Sequence, residues 1–228
     1  MTAVGVLGTG IVGRTLAGKI ASLGHQVVMG TRDPDASLAV TESSPRGLEP
    51  LSDWLGANEG VSLGTFADSA ATGEIVFNAA SGDGTLEALG SAGAANLSGK
   101  ILIDAGNPLD FSKGMPPTLL VGNTDSLAEQ IQREFPDAKV VKALNIVSAP
   151  VMIDPGAVAG GDHHMLIAGN DDSAKAAVTR ILKDWFGWRH VLDVGDVTAA
   201  RGLEAYVILW VRMMMSLGTV GFNVKVAQ

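Results

Sequence analysis

Between Leu7 and Arg14 the chain reads Gly8-Thr9-Gly10-Ile11-Val12-Gly13, three glycines at a spacing that lets a backbone wrap a pyrophosphate. Gly8 permits a tight turn, Gly10 keeps a side chain out of the phosphate's approach, and Gly13 lets the following helix lie close to a sheet. In a chain with 29 glycines the spacing alone is weak. Its context carries the weight: an apolar run, 3–7, precedes it, and apolar residues at helical spacing, 11–23, follow and close at Gly24. A helix opening there turns unpaired N–H groups toward an anion. The alternative is a strand-to-helix turn that holds no ligand.

The next apolar run, 26–31, ends Met29-Gly30-Thr31-Arg32. An acid at this point would bind a ribose 2′-hydroxyl, and none is there. Arg32 instead offers a planar, permanently charged donor fork suited to a 2′-phosphate, with the Thr31 hydroxyl beside it, so NADP(H) is expected over NAD(H). Asp33 follows at once, either to meet a ribose hydroxyl or to start a turn before Pro34.

In a doubly wound sheet, ligands lie beyond the carboxyl ends of the strands, which selects segments 78–82, 105–108 and 144–149. Ala79, Ala80, Ser81, Ala105 and Ala149 leave room for a flat ring, and Asn107 and Asn145 carry amides able to bond ribose or carboxamide. No side chain stands out as a catalytic acid or base. His163 and His164 are adjacent, so on a strand they face opposite ways and share no metal; His25 and His190 precede apolar runs and read as structural. Hydride transfer between two bound rings is chiefly a matter of positioning and needs no such group, whereas carbonyl reduction more often needs a proton donor.

These residues require strands and helices in alternation. After the first βαβ unit come a loop-rich stretch, 41–50, a helix, 51–58, and a short strand, 61–64. Strands at 74–79 and 100–104 flank a helix at 85–95, and a helix at 126–135 leads to a strand at 138–144. Pro150 and Pro155 then mark a soft boundary. Beyond it, strands 164–168 and 190–194 flank a helix, 173–186, and a long apolar helix, 197–217, precedes the tail. The expected architecture is α/β: a Rossmann-type, doubly wound, mainly parallel sheet over 1–150 with a small C-terminal appendage, 151–228, ending in that helix.

Composition fits: 46% of the 228 residues are hydrophobic and 18% charged, which suits a buried parallel sheet. A net charge of −8 disfavours nucleic acid and anionic membrane surfaces. With no cysteine there is no disulfide, thiolate metal site or cysteine nucleophile, and with no basic segment ahead of the first strand no signal peptide is expected; a cytoplasmic location is the expectation these fit. The apolar stretch 203–220 is broken by Glu204 and Arg212, well short of the roughly 20 residues that span a bilayer. Met213, Met214 and Met215 read as core packing. Apolar residues 208–211 and 213–215 nonetheless fill nearly all angles of the last helix, more than one face can hide, and a homodimer is expected to bury the remainder.

The segments Val4-Gly5-Val6-Leu7 through Gly13, Gly30-Thr31-Arg32-Asp33-Pro34, Asp104-Ala105-Gly106-Asn107-Pro108 and Val141-Lys142-Ala143-Leu144-Asn145-Ile146-Val147-Ser148-Ala149 together resemble the NADPH-dependent coenzyme F420 reductases. They are also similar to the oxidoreductase domain of the STEAP metalloreductases. That resemblance implies NADPH lying across the strand ends, with Thr9, Ile11 and Val12 near the pyrophosphate and Thr31 and Arg32 at the 2′-phosphate. It implies Ala79, Ala80, Ser81, Asn107, Ala143 and Asn145 along the ribose and nicotinamide, and a second redox ring, deazaflavin or flavin, near Val147, Ser148 and Ala149. The expected activity is hydride exchange between NADP(H) and F420. The competing readings are a flavin or ferric reductase and a non-catalytic NADP(H) sensor.

Overall fold

The computed structural model describes residues 1–44 and 47–227; Pro45 and Arg46, within the expected loop 41–50, lie outside the described residues. In chain order the elements are β1 (Ala3–Leu7), α1 (Ile11–Ser22), β2 (Gln26–Thr31), α2 (Pro34–Leu38), α3 (Leu51–Gly56), β3 (Val61–Thr65), α4 (Phe66–Thr72) and β4 (Ile75–Asn78). There follow α5 (Thr85–Ala92), α6 (Ala94–Leu97), β5 (Ile101–Asp104), β6 (Leu109–Asp110), β7 (Thr118–Leu119), α7 (Leu127–Glu134) and β8 (Lys139–Lys142). The last elements are α8 (Ala149–Ile153), β9 (His164–Gly169), α9 (Asp172–Phe186), β10 (His190–Asp193) and α10 (Ala200–Leu217).

Eight of these strands form one sheet in the order β10-β9-β8-β5-β4-β1-β2-β3, while β6 and β7 pair separately as an antiparallel hairpin. From β3 to β8 every neighbour is parallel, with Leu7 opposite Gly30 on one side and Asn78 on the other. The β8–β9 pairing is antiparallel and short, Val141 opposite Gly169 and Lys142 opposite Ala168, and β10 lies parallel to β9. The sheet thus runs on past residue 150, where the sequence suggests a soft boundary. The chain reverses its direction of travel across the sheet between β1 and β4, and that reversal opens a crevice at their carboxyl ends.

Alternate residues of each central strand feed two cores, as the period of two demands. Phe77, Ile103 and Val141 pack with Leu16 and Ile20 of α1, Met152 of α8 and Val178 of α9. Val76, Leu102 and Val140 pack with Ala70 of α4, Leu89 of α5, Leu97 of α6 and Ile131 of α7. Helices therefore cover both faces, and the architecture is the doubly wound one expected.

Several details differ from expectation. Gly93, at φ 87°, divides the expected helix 85–95 into α5 and α6, because a left-handed φ ends the helical ladder. The last helix starts at Ala200, after a 3₁₀ turn at Val197–Ala199. Along α10, Leu203, Glu204, Val207 and Val211 are buried while Leu209, Met215 and Leu217 are exposed, so Met215 does not pack in the core as the sequence suggests. Among the described residues, no helix is long and apolar enough to cross a membrane.

Candidate dinucleotide site

The glycine turn takes the shape its residue types allow. Gly8 has φ +114°, and a Cβ on it would lie 2.6 Å from the Ala79 carbonyl oxygen; a Cβ on Gly13 would lie 2.0 Å from the Gly8 carbonyl oxygen. Both glycines are fixed by the packing of β1, α1 and β4. Gly10 differs: a Cβ there meets nothing within 4 Å and projects into open space. It is the N-cap residue of α1, which has no side-chain cap and no acid in its first turn. The Arg14 guanidinium fastens the loop from behind, its Nε donating to the Thr9 carbonyl (2.9 Å) and its Nη1 to the Glu49 carbonyl (2.7 Å).

Two cavities meet at this turn. The smaller, about 290 Å³, is lined by Gly8, Thr9, Gly10, Thr31, Arg32 and Phe66, together with Gly84 and Ala88 at α5. The larger, about 680 Å³, extends past Ile11 and Val12 to Ala105, Gly106 and Asn107. Gly10, Ala79, Ala80 and Ser81 line both. These volumes suit a ligand of cofactor size, and a backbone hub with small side chains lies where the cavities join. Of the described residues lining the two, Arg32 is the one cation, whereas Asp83 and Asp110 border the larger.

At the small cavity the Thr31 hydroxyl shares a 2.9 Å hydrogen bond with Ser37 Oγ. Arg32 Nε (3.1 Å) and Nη2 (3.0 Å) both reach one carboxylate oxygen of Glu87 on α5. Asp33 Oδ1 accepts from Ala36 N–H at 3.0 Å and caps α2, so of its two sequence readings the turn-starting one is what the fold uses.

Several expected residues support the site without lining it. Ala143 is fully buried. Asn145 is 3% exposed, and its Nδ2 donates to Asn107 Oδ1 (3.0 Å) and to the Leu203 carbonyl of α10 (3.0 Å). Asn107 Nδ2 returns a bond to the Asn145 carbonyl at 2.9 Å. The two residues are thus tied across the ends of β5 and β8, Asn145 Oδ1 is left buried without a partner, and only Asn107 reaches the cavity wall. Val147 and Ala149 are buried where α8 begins, and Ser148 Oγ donates to the Val220 carbonyl at 2.9 Å. None of these three lines either cavity among the described residues. The outer wall of the larger one is instead the β6–β7 hairpin, through Leu109, Asp110, Phe111, Ser112 and Leu120.

Below the Ala105–Asn107 wall lies a buried ionic cluster that sequence reasoning missed. Lys142 Nζ sits 2.8 Å from Asp104 Oδ2, 2.8 Å from Glu204 Oε1 and within bonding distance of the Gly106 carbonyl, and all three charged side chains are essentially inaccessible. Asp104 Oδ1 accepts from Asn78 Nδ2 (2.7 Å) and Gly106 N–H (3.0 Å), while Glu204 accepts from the Leu127 and Ala128 N–H groups that open α7. Burial pulls the lysine's pKa down, but the Asp104 and Glu204 carboxylates outweigh it and hold the ammonium above the ordinary lysine range. The signal in the sequence was a lysine at the end of an apolar strand and a glutamate inside an apolar helix.

Comparison with known proteins adds to this geometry. Residues 3–108 match the family model described as NADP oxidoreductase, coenzyme F420-dependent. A crystal structure from Arthrobacter sp. FB24, assigned provisionally as an F420-dependent NADP reductase, is 54% identical with a TM-score of 0.95, each chain covered over 100% of its length. An F420-dependent NADP reductase of Methanothermobacter marburgensis is 29% identical over 210 residues, 90% of this chain and 89% of that protein. Metalloreductase STEAP3 of Rattus norvegicus is 30% identical over 205 residues, 89% of this chain, which spans 36% of that larger protein.

Proposed function

Because the chain belongs to the family of coenzyme F420-dependent NADP oxidoreductases, we propose that its paired cavities hold NADP(H) and that it exchanges hydride between that cofactor and coenzyme F420. It is an NADP-dependent oxidoreductase at family level. The observation that supports the finer reading most is the open space over Gly10 at the junction of the cavities. There the uncapped N-terminus of α1 offers N–H donors to a pyrophosphate. Thr31 and Arg32 serve the 2′-phosphate in the small cavity, and Ala79, Ala80, Ser81 and Asn107 border the path of the ribose and nicotinamide. NADP(H) bound here supplies or receives the hydride. The chain's own residues bind and orient: the Asn107–Asn145 pair and the Lys142 cluster hold the wall firm, and the hairpin bounds the space left for a second ring.

Hydride exchange is tested by mixing F420 with the protein and excess NADPH in a stopped-flow instrument. The F420 absorbance is expected to bleach faster than FMN or FAD is reduced. Rapid flavin reduction with no change in F420 assigns the chain a flavin acceptor instead, and turnover with none of them removes the catalytic reading.

The same reading includes a homodimer in the cytoplasm, supported by Leu209, Met215 and Leu217 exposed on α10 and by the absence of cysteine. Sedimentation over a wide concentration range is expected to give twice the chain mass, and a monomer throughout would overturn the dimer.

A further inference from the structure

The Arg32–Glu87 pair joins the two walls of the small cavity. Arg32 follows β2 and lines one wall; Glu87 stands in the first turn of α5, whose Ala88, with the preceding Gly84, lines the other. Nε and Nη2 form the guanidinium edge that grips a phosphate with two parallel bonds, and here both address one carboxylate oxygen. Glu87 therefore occupies the donors that a 2′-phosphate would use.

We propose that Glu87 is a specificity-determining residue, an internal anion that competes with the 2′-phosphate for Arg32. The inference rests on the NADP(H) reading above and deepens it. The side chains are 70% and 63% exposed, so the pair is weak and exchangeable in water. A phosphate, with more charge and more acceptor oxygens than a carboxylate, takes the fork from it. Glu87 does not vanish when displaced. From the first turn of α5 its carboxylate remains next to the incoming phosphate and repels it. Toward NADH the same carboxylate is neutral or helpful, since a free 2′-hydroxyl can donate to it. Arg32 creates the preference for NADP(H), and Glu87 limits it, weakening the grip on a cofactor that must leave after each hydride exchange.

The test is fluorescence titration of NADPH and of NADH with the wild-type protein, Glu87→Gln and Arg32→Ala. Glu87 is exposed, so its variant is expected to fold normally. Glu87→Gln is expected to tighten NADPH by about two- to fivefold, the scale of an exposed ion pair, with NADH unchanged or weaker. Arg32→Ala is expected to weaken NADPH by about tenfold or more and NADH little. Unchanged or weaker NADPH binding in Glu87→Gln, with Arg32→Ala behaving as stated, would show that Glu87 merely orients Arg32 or does nothing, and overturns this proposal alone. Equal losses for both cofactors in Arg32→Ala, or a wild-type protein that binds neither, would overturn the NADP(H) reading and this proposal with it.

Discussion

Gly10→Val is expected to abolish NADPH binding in a protein that still folds. The residue sits at φ −74° and ψ −174°, extended backbone open to any L-residue, and its side-chain direction is empty to 4 Å. Valine costs the fold little there, but its branches enter the space where both cavities meet and where a pyrophosphate must approach the N–H groups of α1. The loss is expected to exceed about a hundredfold in Kd, because it removes the phosphate bonds and adds a steric clash. Isothermal titration with NADPH, alongside thermal melting, separates the two effects. A folded variant with near wild-type affinity would show that no pyrophosphate rests on this turn. Gly13 makes the contrast: a side chain there meets backbone at 2.0 Å, so its substitution is a defect of folding before it is one of binding.

Lys142→Met is expected to have the largest effect on stability. Methionine fills similar volume but leaves Asp104 and Glu204 buried with no cation between them, a type of loss that typically costs about 3–5 kcal/mol. At about 2–4 °C per kcal/mol for a chain of this size, the melting temperature is expected to fall by roughly 10 °C. Melting curves at neutral pH read the loss. An unchanged melting temperature at neutral pH would show that the lysine's charge is not needed there.

The glycine turn, the doubly wound parallel sheet and the place of Arg32 at the end of β2 were legible because each depends on local chemistry. Spacing defines the turn, alternating apolar runs define a parallel sheet, and a missing acid at the end of β2 is visible as a letter. What escaped depends on partners distant in sequence or on very short elements. Asn145 looked like a ligand donor, yet its amide nitrogen is taken by Asn107, 38 residues away, and by a carbonyl of α10, which leaves Oδ1 buried without a partner. Ala143 and Val147 lie past the end of β8, in a turn that packing against the rest of the core buries. The β6–β7 hairpin has strands of two residues, too short to show any period. α4 was missed although it has a signature: Thr65 Oγ1 accepts from Asp68 N–H at 3.1 Å and Asp68 Oδ2 accepts from Thr65 N–H at 2.9 Å, the capping box readable as Thr-x-x-Asp.

Glu204 has a consequence for the order in which the molecule can be completed during synthesis. A ribosome feeds the chain out at about 5–20 residues per second, amino end first. When β8 has emerged, Lys142 can find Asp104, and α7 can wind, but the carboxylate that holds both the lysine and the first N–H groups of α7 is still more than sixty positions upstream of the exit. For that interval the nascent crevice rests on a half-built foundation, with backbone donors and an ammonium awaiting their acceptor. The final helix therefore works as a keystone set last, and a chain stopped before it would carry every glycine of the nucleotide turn without the support that keeps the opposite wall in place.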